Sequence, residues 1–376
     1  MGKPNYKILV IGGGFSGMAA AIQLRKQNFD VDLIEIDQAW RSYGAGITIS
    51  GPTLRALDQI GVLPQILESG WCADGCDLST ADGTFISQLP TPRVAGPSVP
   101  GGGGIMRPVL AKILAQATLA SGTHVRLGCT FKAITPAGKK VLVSLTDDTS
   151  SEYDLVIGAD GVFSKVRETI FPEASKPAYT GQGVWRALVP RDDVQRSAMF
   201  LGAPNKAGFT PVSKDQMYLF LNDLRPQQTF VTEDQAVPML KELLSEFTAP
   251  LMRSIADQLG PHSHVIYRPL EGILLPLPWA KNDNLLLIGD AVHATTPHLA
   301  SGAGIGIEDG IVIAEELANA SSIAEALERF QARRWERCRL VVENSLRLGQ
   351  IEMSGGSKEE HGALMRDSMK ALLQPI

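Results

Sequence analysis

The chain has 376 residues, 44% of them hydrophobic and 20% charged, with a formal net charge of −5. That apolar content supports a sizeable buried core and excludes a disordered chain. The mild negative charge, with no long Lys/Arg run, gives no electrostatic basis for nucleic acid or an anionic membrane as partner, so a small-molecule partner is expected.

Residues 1–11 reach an apolar strand almost at once, without a charged n-region, a long apolar h-region and a small-residue cleavage site. No apolar run approaches membrane-spanning length, and the expectation is a cytoplasmic monomer or homodimer. Four cysteines, Cys72, Cys76, Cys129 and Cys338, are sparse; the one close pair is C-x3-C with no second pair to complete a zinc site, and ordinary reduced thiols are expected.

"YKILVIGGGFSGMAAAIQLRKQNFDVDLIEID" reads as strand, glycine turn, helix broken at Asn28 and second strand, a βαβ opening. Gly12-Gly13-Gly14-Phe15-Ser16-Gly17 fits G-x-G-x-x-G in that setting. Gly12 permits the turn, Gly14 lets a pyrophosphate approach the helix N-terminus, and Gly17 allows close helix–strand packing. Glu35 ends the second strand, where a carboxylate accepts from a ribose 2′-hydroxyl and disfavours a 2′-phosphate. A dinucleotide site follows; which dinucleotide stays open at this point.

"TPRVAGPSVPGGGG", Thr91 to Gly104, reads as a mobile Pro/Gly-rich surface loop leading into a helix that begins near Arg107. Apolar strands recur at "DLVIGADG" and "NLLLIGDAV", so the nucleotide-type sheet is assembled from distant segments. Between them, roughly Gly181 to Pro276, alternating segments read as antiparallel strands, interrupted by helices over about 235–246 and 249–259. This sheet is expected to wall a pocket with Trp185 or Arg186, Phe209, Met217 or Leu219, and Tyr218 or Phe220, while "GAGITIS" offers Thr48 and Ser50. Each aromatic is also a candidate for ordinary core packing, and Arg186 either binds an anionic substrate or solvates an edge strand. The C-terminal third reads as helical.

"IGDAVHATTPHLASGAGIGIEDG", Ile288 to Gly310, gathers Asp290, His293 and His298. Their D-x2-H-x4-H spacing matches no helical metal face, and no further Cys/His cluster completes a ligand set, so no metal is expected. The helix beginning near Gly302 instead favours negative charge at its free N–H groups.

The glycine fingerprint, "GAGI" at 44–47, Arg107 opening a helix, "YDLVIGADGVFSKVR" at 153–167 and "NLLLIGDAVHATTPHLASGAG" at 284–304 occur in one order. In that order they resemble the single-component FAD-dependent aromatic hydroxylases, the p-hydroxybenzoate hydroxylase-like flavoprotein monooxygenases, over about residues 5–345. The chain departs from many relatives where Gly-Gln-Gly-x-Asn is replaced by Ala300-Ser301-Gly302-Ala303-Gly304, and where Ile36 follows the ribose acid.

The resemblance implies an α/β fold: a discontinuous Rossmann-like FAD-binding domain (1–75, 100–180 and 277–320), an inserted, mostly antiparallel substrate-binding sheet (76–99 and 181–276), and C-terminal helices (321–376). It implies non-covalent FAD held by Gly12, Gly14, Phe15, Ser16 and Gly17 at the pyrophosphate, Glu35 at the adenosine ribose, Arg41 and Arg107 at the ribose or phosphate region, and Asp290 at the ribityl chain. Asp160, with Ser164 and Arg167, belongs to a motif linked to FAD and NAD(P)H; the alternative for it is a strand-end turn with Ser164 capping a helix. Gly302, Ala303 and Gly304 are implied donors to the flavin pyrimidine edge, and Pro297 lines the oxygen face. His293 reads as structural, and His298 either as a substrate contact or proton relay or as loop packing.

The implied activity is hydroxylation of a small phenolic or N-heteroaromatic ring with NADH or NADPH as transient reductant and O2 as co-substrate, through a flavin C4a-hydroperoxide. The pocket residues would be Thr48, Arg186, Phe209, Tyr218 and Phe220. Alternatives are a monooxygenase or reductase of the same fold acting on a larger polycyclic or drug-like substrate, and a non-catalytic flavin-binding redox sensor.

Overall fold

In the computed structural model, which describes residues 6–376, the apolar run Lys7–Ile11 lies inside a six-stranded sheet. The part of the expected first segment formed by residues 1–5 lies outside the described residues. The strand order is Ala280–Lys281, Leu285–Leu287, Leu155–Gly158, Lys7–Ile11, Asp30–Glu35, His124–Leu127. Every neighbouring pair is parallel except the first. Parallel strands covered on both faces need continuous apolar runs, and Leu155–Gly158 and Leu285–Leu287 are buried throughout. The nucleotide-type sheet is therefore drawn from distant segments, as the recurring apolar strands imply.

The helix Phe15–Lys26 follows the glycine turn and packs against the helix Gly302–Asn319, where Gly310 lies directly on the backbone of Ala19 and Ala20. That contact brings the beginning of the chain and the segment after residue 300 to one place.

A second, seven-stranded sheet runs Val265–Gly272, Ala178–Pro190, Gln216–Leu224, Lys206–Pro211, Ser197–Leu201, Cys76–Thr80, Phe85–Leu89. It is antiparallel except where Ser197–Leu201 runs parallel to Cys76–Thr80. The helices Glu233–Leu244 and Pro250–Gln258, close to the expected spans, supply Leu240, Leu244, Met252 and Ile255 to the core against one face, with Trp185, Leu219 and Leu221. The opposite face carries Tyr218, which packs on Ala45 and Val212 beside the "GAGI" segment. Alternation along the strand thus separates a core face from a face turned to the segment 44–47.

Two smaller sheets complete the strands: an antiparallel meander over Phe131–Ala137, Lys140–Leu145 and Ser150–Tyr153, and a three-stranded sheet of Gly46–Ser50, Gly102–Met106 and Trp71–Cys72. The second corrects the expectation of a loop through Gly104. Gly102–Gly104 are strand residues, and a Cβ at Gly103 would stand 2.5 Å from the Trp71 carbonyl oxygen, so the glycines serve close backbone packing rather than mobility.

The chain ends in the helices Ile323–Ser354 and Lys358–Leu372. No helix among the described residues is long and apolar enough to cross a membrane.

Candidate active site

The fingerprint turn leaves the strand Lys7–Ile11 through Gly12, whose φ of 110° suits glycine, and a Cβ there would collide with the Ala159 carbonyl. Gly14 is the N-cap of the helix Phe15–Lys26, is exposed, and has nothing within 4 Å of where a Cβ would stand. The first helical bond joins Met18 N to Gly14 O at 2.9 Å. The N–H groups of Phe15, Ser16 and Gly17 are therefore left without a helical acceptor, and the first turn has no acidic side chain to compete for them.

Glu35 reaches back to this turn. Its Oε2 accepts from Gly13 N at 2.7 Å and its Oε1 from Asp37 N at 2.9 Å, while Trp40 Nε1 donates to Gly13 O at 2.8 Å. Trp40 carries no motif signal, and its part in bracing the turn was not legible. Arg41, expected at the ribose or phosphate, is an exposed side chain ion-paired with Asp37 at 2.9 Å. The two residues lie four apart on one surface turn, so Asp37 is the partner nearest the guanidinium in the chain.

Arg107 opens the helix Arg107–Ala120, and its guanidinium lies 4.9 Å from the Phe15 ring centroid. Burial lowers its pKa, with the charge of Asp290 opposing. Asp290 stands open at the cleft, yet the protein packed behind it raises its pKa, against the charges of His293 and Arg107. The charges of Arg107 and Asp290 thus lie near enough to favour one another.

Asp160 is placed otherwise. Its carboxylate accepts from Lys165 N at 2.7 Å, Val166 N at 3.0 Å and Ser164 Oγ at 2.5 Å, and Ser164 Oγ in turn accepts from Arg167 N at 2.8 Å. This caps the helix Lys165–Ile170, the geometry that the turn-and-cap alternative describes for the Asp160 side chain. Arg167 donates to the carbonyls of Ala291 at 2.8 Å and Val162 at 2.9 Å, tying this turn to the Asp290 segment.

After Asp290 the chain makes a short 3-10 turn at Pro297–Leu299, passes Ala300 with φ 47°, and enters the helix Gly302–Asn319. Its first bond is Ile305 N to Ser301 O at 2.9 Å, so the N–H groups of Gly302, Ala303 and Gly304 lie ahead of the helical ladder, again with no acid in the first turn. Pro297 is exposed to the cleft. His298 turns the other way: its side chain is wholly buried, Nδ1 lies 2.9 Å from Thr296 Oγ1 and Nε2 lies 3.2 Å from Glu352 Oε2. Both ring nitrogens are engaged by protein, so the structure brings Pro297 to the cleft and does not bring His298 there.

The sheet side is built by alternation. Arg186 and Tyr218 share the face opposite the core, Arg186 Nε donating to Tyr218 Oη at 3.0 Å, and Phe220 lies 6.0 Å from the Tyr218 ring. Thr48 Oγ1 is 3.2 Å from Thr210 Oγ1, and Ser50 Oγ is 3.0 Å from Thr53 Oγ1. Phe209 is corrected: it sits on the core face with Trp185 and Phe200, 6.0 Å between the Phe rings, because it pairs with Leu219 and not with Tyr218. Trp185 and Met217 likewise belong to that core.

Beneath the cleft lies a buried ionic network that sequence reasoning missed. Asp309 accepts from His293 Nε2 at 2.6 Å, Gly289 N at 2.8 Å and Arg334 Nε at 2.8 Å, and Glu308 pairs with Arg334 at 3.0 Å and with Arg337 at 2.7 Å. Burial opposes charge on His293, but Cys338 and Asp309 beside it hold its pKa well above the ordinary histidine value. His293, Asp309 and Cys338 offer ligand atoms within 4.8 Å of one another, yet Arg334 already supplies the positive charge against them, with Nη2 3.5 Å from Cys338 Sγ. The available signal was an acidic pair inside the apolar run "GIGIEDGIVIA", matched by arginines three apart at 334 and 337.

A second buried cluster surrounds Glu352, which accepts from Lys206 Nζ at 2.6 Å, His361 Nε2 at 2.9 Å and His298 at 3.2 Å. Burial opposes the carboxylate's charge, but Lys206, His298 and His361 hold its pKa far below the carboxylate range. Burial, with Lys206 adding to it, pushes the His298 pKa down against the pull of Glu352, which favours the neutral imidazole.

A family model described as FAD binding domain matches residues 5–345. The 2-heptyl-3-hydroxy-4(1H)-quinolone synthase of Pseudomonas aeruginosa is 29% identical over 356 residues, covering 92% of this chain and 90% of that one. The 6-hydroxynicotinate 3-monooxygenase of Pseudomonas fluorescens is 28% identical over 358 residues, 89% of each chain. Among solved structures, Klebsiella pneumoniae HpxO complexed with FAD and uric acid superposes with a TM-score of 0.82 at 22% identity, over 100% of this chain and 94% of that one.

Proposed function

Because the chain belongs to the FAD binding domain family over residues 5–345, we propose that it is an FAD-dependent monooxygenase that hydroxylates a small phenolic or N-heteroaromatic ring with NAD(P)H and O2. One observation carries this reading: two helices whose N-termini have unengaged N–H groups, at Phe15 and Gly302, pack together, and the aromatic face of the second sheet packs on the neighbouring segment 44–47. Ser16 packs against Gly289 and Gly306, Thr53 against Gly304, and Tyr218 against Gly46, which draws the three segments together.

The residues present fit FAD. Open backbone at Gly14 and the unengaged N–H groups of Phe15, Ser16 and Gly17 would hold the pyrophosphate, Glu35 the adenosine ribose and Asp290 with Arg107 the ribityl region. Gly302, Ala303 and Gly304 would meet the pyrimidine edge of the flavin ring. When bound, FAD supplies hydride acceptance and oxygen activation. The chain's own residues exclude water and hold the substrate ring: Pro297 lines the groove, and Tyr218 and Phe220 provide an aromatic wall. Arg186, hydrogen-bonded to Tyr218 Oη, is placed to bind an anionic group of the substrate. Relatives named for a hydroxyquinolone and for 6-hydroxynicotinate, and a structural neighbour bound to uric acid, support the nitrogen-heterocycle class.

The test is a screen of hydroxypyridines, hydroxyquinolines and hydroxybenzoates for stimulated NAD(P)H oxidation by the FAD-loaded enzyme, with products analysed after reaction under labelled oxygen. One labelled oxygen atom in the product is expected. Oxidation yielding only hydrogen peroxide with every compound would refute the hydroxylase reading.

A further inference from the structure

Glu352 lies in the helix Ile323–Ser354, beyond the family match that ends at residue 345, and His361 lies in the helix that follows. Together with Lys206 from the strand Lys206–Pro211 and His298 from the turn beside the cleft, they form one buried cluster drawn from four elements. These are the charged and titratable groups that face His298: Glu352 directly, with Lys206 and His361 behind it.

The hydrogen bond to Glu352 decides which nitrogen carries the proton. An ionised Glu352 only accepts, so His298 Nε2 carries the proton and donates to Oε2, and in the neutral imidazole that burial favours Nδ1 accepts from the Thr296 hydroxyl. His298 is thereby pinned at both ends, to its own turn through Thr296 and to the C-terminal helices through Glu352. The pinned turn is the one that presents Pro297 to the cleft, closes through Ala300 N to Pro297 O at 3.0 Å and Ser301 Oγ to Leu299 O at 2.7 Å, and leads straight into the N–H groups of Gly302–Gly304.

We propose that Glu352 is a positioning residue for this turn: by fixing His298 as the Nε2-protonated tautomer it sets where Pro297 and the mouth of the helix Gly302–Asn319 stand in the cleft. Its consequence for oxygen transfer rests on the monooxygenase reading. Its consequence for His298 does not.

The test uses the full chain loaded with FAD. Removing Glu352 alone leaves the Lys206 ammonium buried and unpaired, so the informative variant is Glu352→Leu combined with Lys206→Met, which removes both charges together. Two readouts are taken: the nitrogen-15 spectrum of the His298 imidazole, and product formed per NAD(P)H consumed. The wild type is expected to show one neutral Nε2–H tautomer. The double variant, with unchanged circular dichroism and bound FAD, is expected to show mixed tautomers and about a tenfold loss of coupling, the order of effect that a small displacement in a reaction site produces. Its KM for the aromatic substrate is expected to stay within about twofold, because ground-state binding is untouched. Glu352→Gln with Lys206→Met returns an acceptor to Nε2 and is expected to restore the single tautomer and most of the coupling.

An Nδ1–H tautomer or an imidazolium in the wild type overturns the proposal, as does a folded Leu/Met variant with unchanged tautomer and coupling. If no aromatic compound is hydroxylated by the wild type, the monooxygenase reading fails and the tautomer comparison still decides the role of Glu352.

Discussion

Glu35 and Arg186 stand on opposite sides of the groove and differ in what holds them. Glu35 already has backbone donors on both oxygens, so its carboxylate is oriented before any ribose arrives. Glu35→Ala removes a charged acceptor whose hydrogen bonds contribute about 1.5–3 kcal/mol, and FAD affinity measured by fluorescence is expected to fall roughly 10- to 100-fold. Arg186 is held only through Nε. Arg186→Met is expected to raise KM about tenfold or more for an anionic substrate with little change in kcat, while a neutral analogue keeps its KM; equal losses for both would remove the anion-binding role. At this scale the sequence identifies residue types but not the direction in which they point. Arg41 and Asp160 are of the right type at the right positions, yet each finds a nearer partner, Asp37 for one and the first turn of Lys165–Ile170 for the other. His298 is the same lesson over a longer distance, because its partner Glu352 is 54 positions away and nothing local announces it.

Elements were more legible than side chains, since hydrophobic period and glycine turns are local signals. The βαβ opening, the helices at Arg107 and Gly302, and the antiparallel segments after Gly181 all stand where the pattern puts them. Period alone left the choice of face open, and the register resolves it: Arg186 pairs with Phe220, and Trp185 with Leu221. Phe209→Ala on the core face is expected to cost about 3–5 kcal/mol in denaturant unfolding and leave substrate affinity unchanged. Phe220→Ala is expected to weaken substrate binding at a smaller cost in stability, and the reverse pattern would overturn the assignment of faces. The glycine run at 101–104 misleads because composition is the same for a mobile loop and for a strand squeezed between neighbours. Only the contacts with Trp71 and Pro211 distinguish them.

For the whole molecule, the two buried ionic clusters determine how stability responds to acid. Glu308, Asp309 and Glu352 all have folded pKa values below their ordinary ones. Their stabilisation is complete above the unfolded carboxylate range, near pH 4, and is lost as pH falls through the folded values. The denaturation midpoint is therefore expected to drop steadily below about pH 4.5. His293 works in the other direction: its raised pKa contributes fully below about pH 6.5 and fades as pH rises through the folded value. Arg334→Met, which removes the cation that Asp309 and Glu308 share and leaves them only His293 and Arg337, is expected to destabilise the fold by about 3–5 kcal/mol, and a change under 1 kcal/mol would show that the network is not a stabilising unit. Beyond the acidic pair in an apolar run and the arginines at 334 and 337, none of this was readable from motif spacing, since each cluster joins residues that only the tertiary fold brings together.

The helix Ile323–Ser354 touches both clusters, at Arg334 in its first half and at Glu352 near its C-terminal end. Eighteen residues of rigid helix separate them by about 27 Å, so the helix behaves as a measuring rod with two fixed marks. A single alanine inserted between Leu340 and Gly349 would advance everything beyond it by about 1.5 Å and rotate it by about 100°. Arg334 would keep its partners while Glu352 swung away from His298. Such an insertion tests whether the spacing of the two marks, rather than the identity of any one side chain, is what the length of this helix maintains.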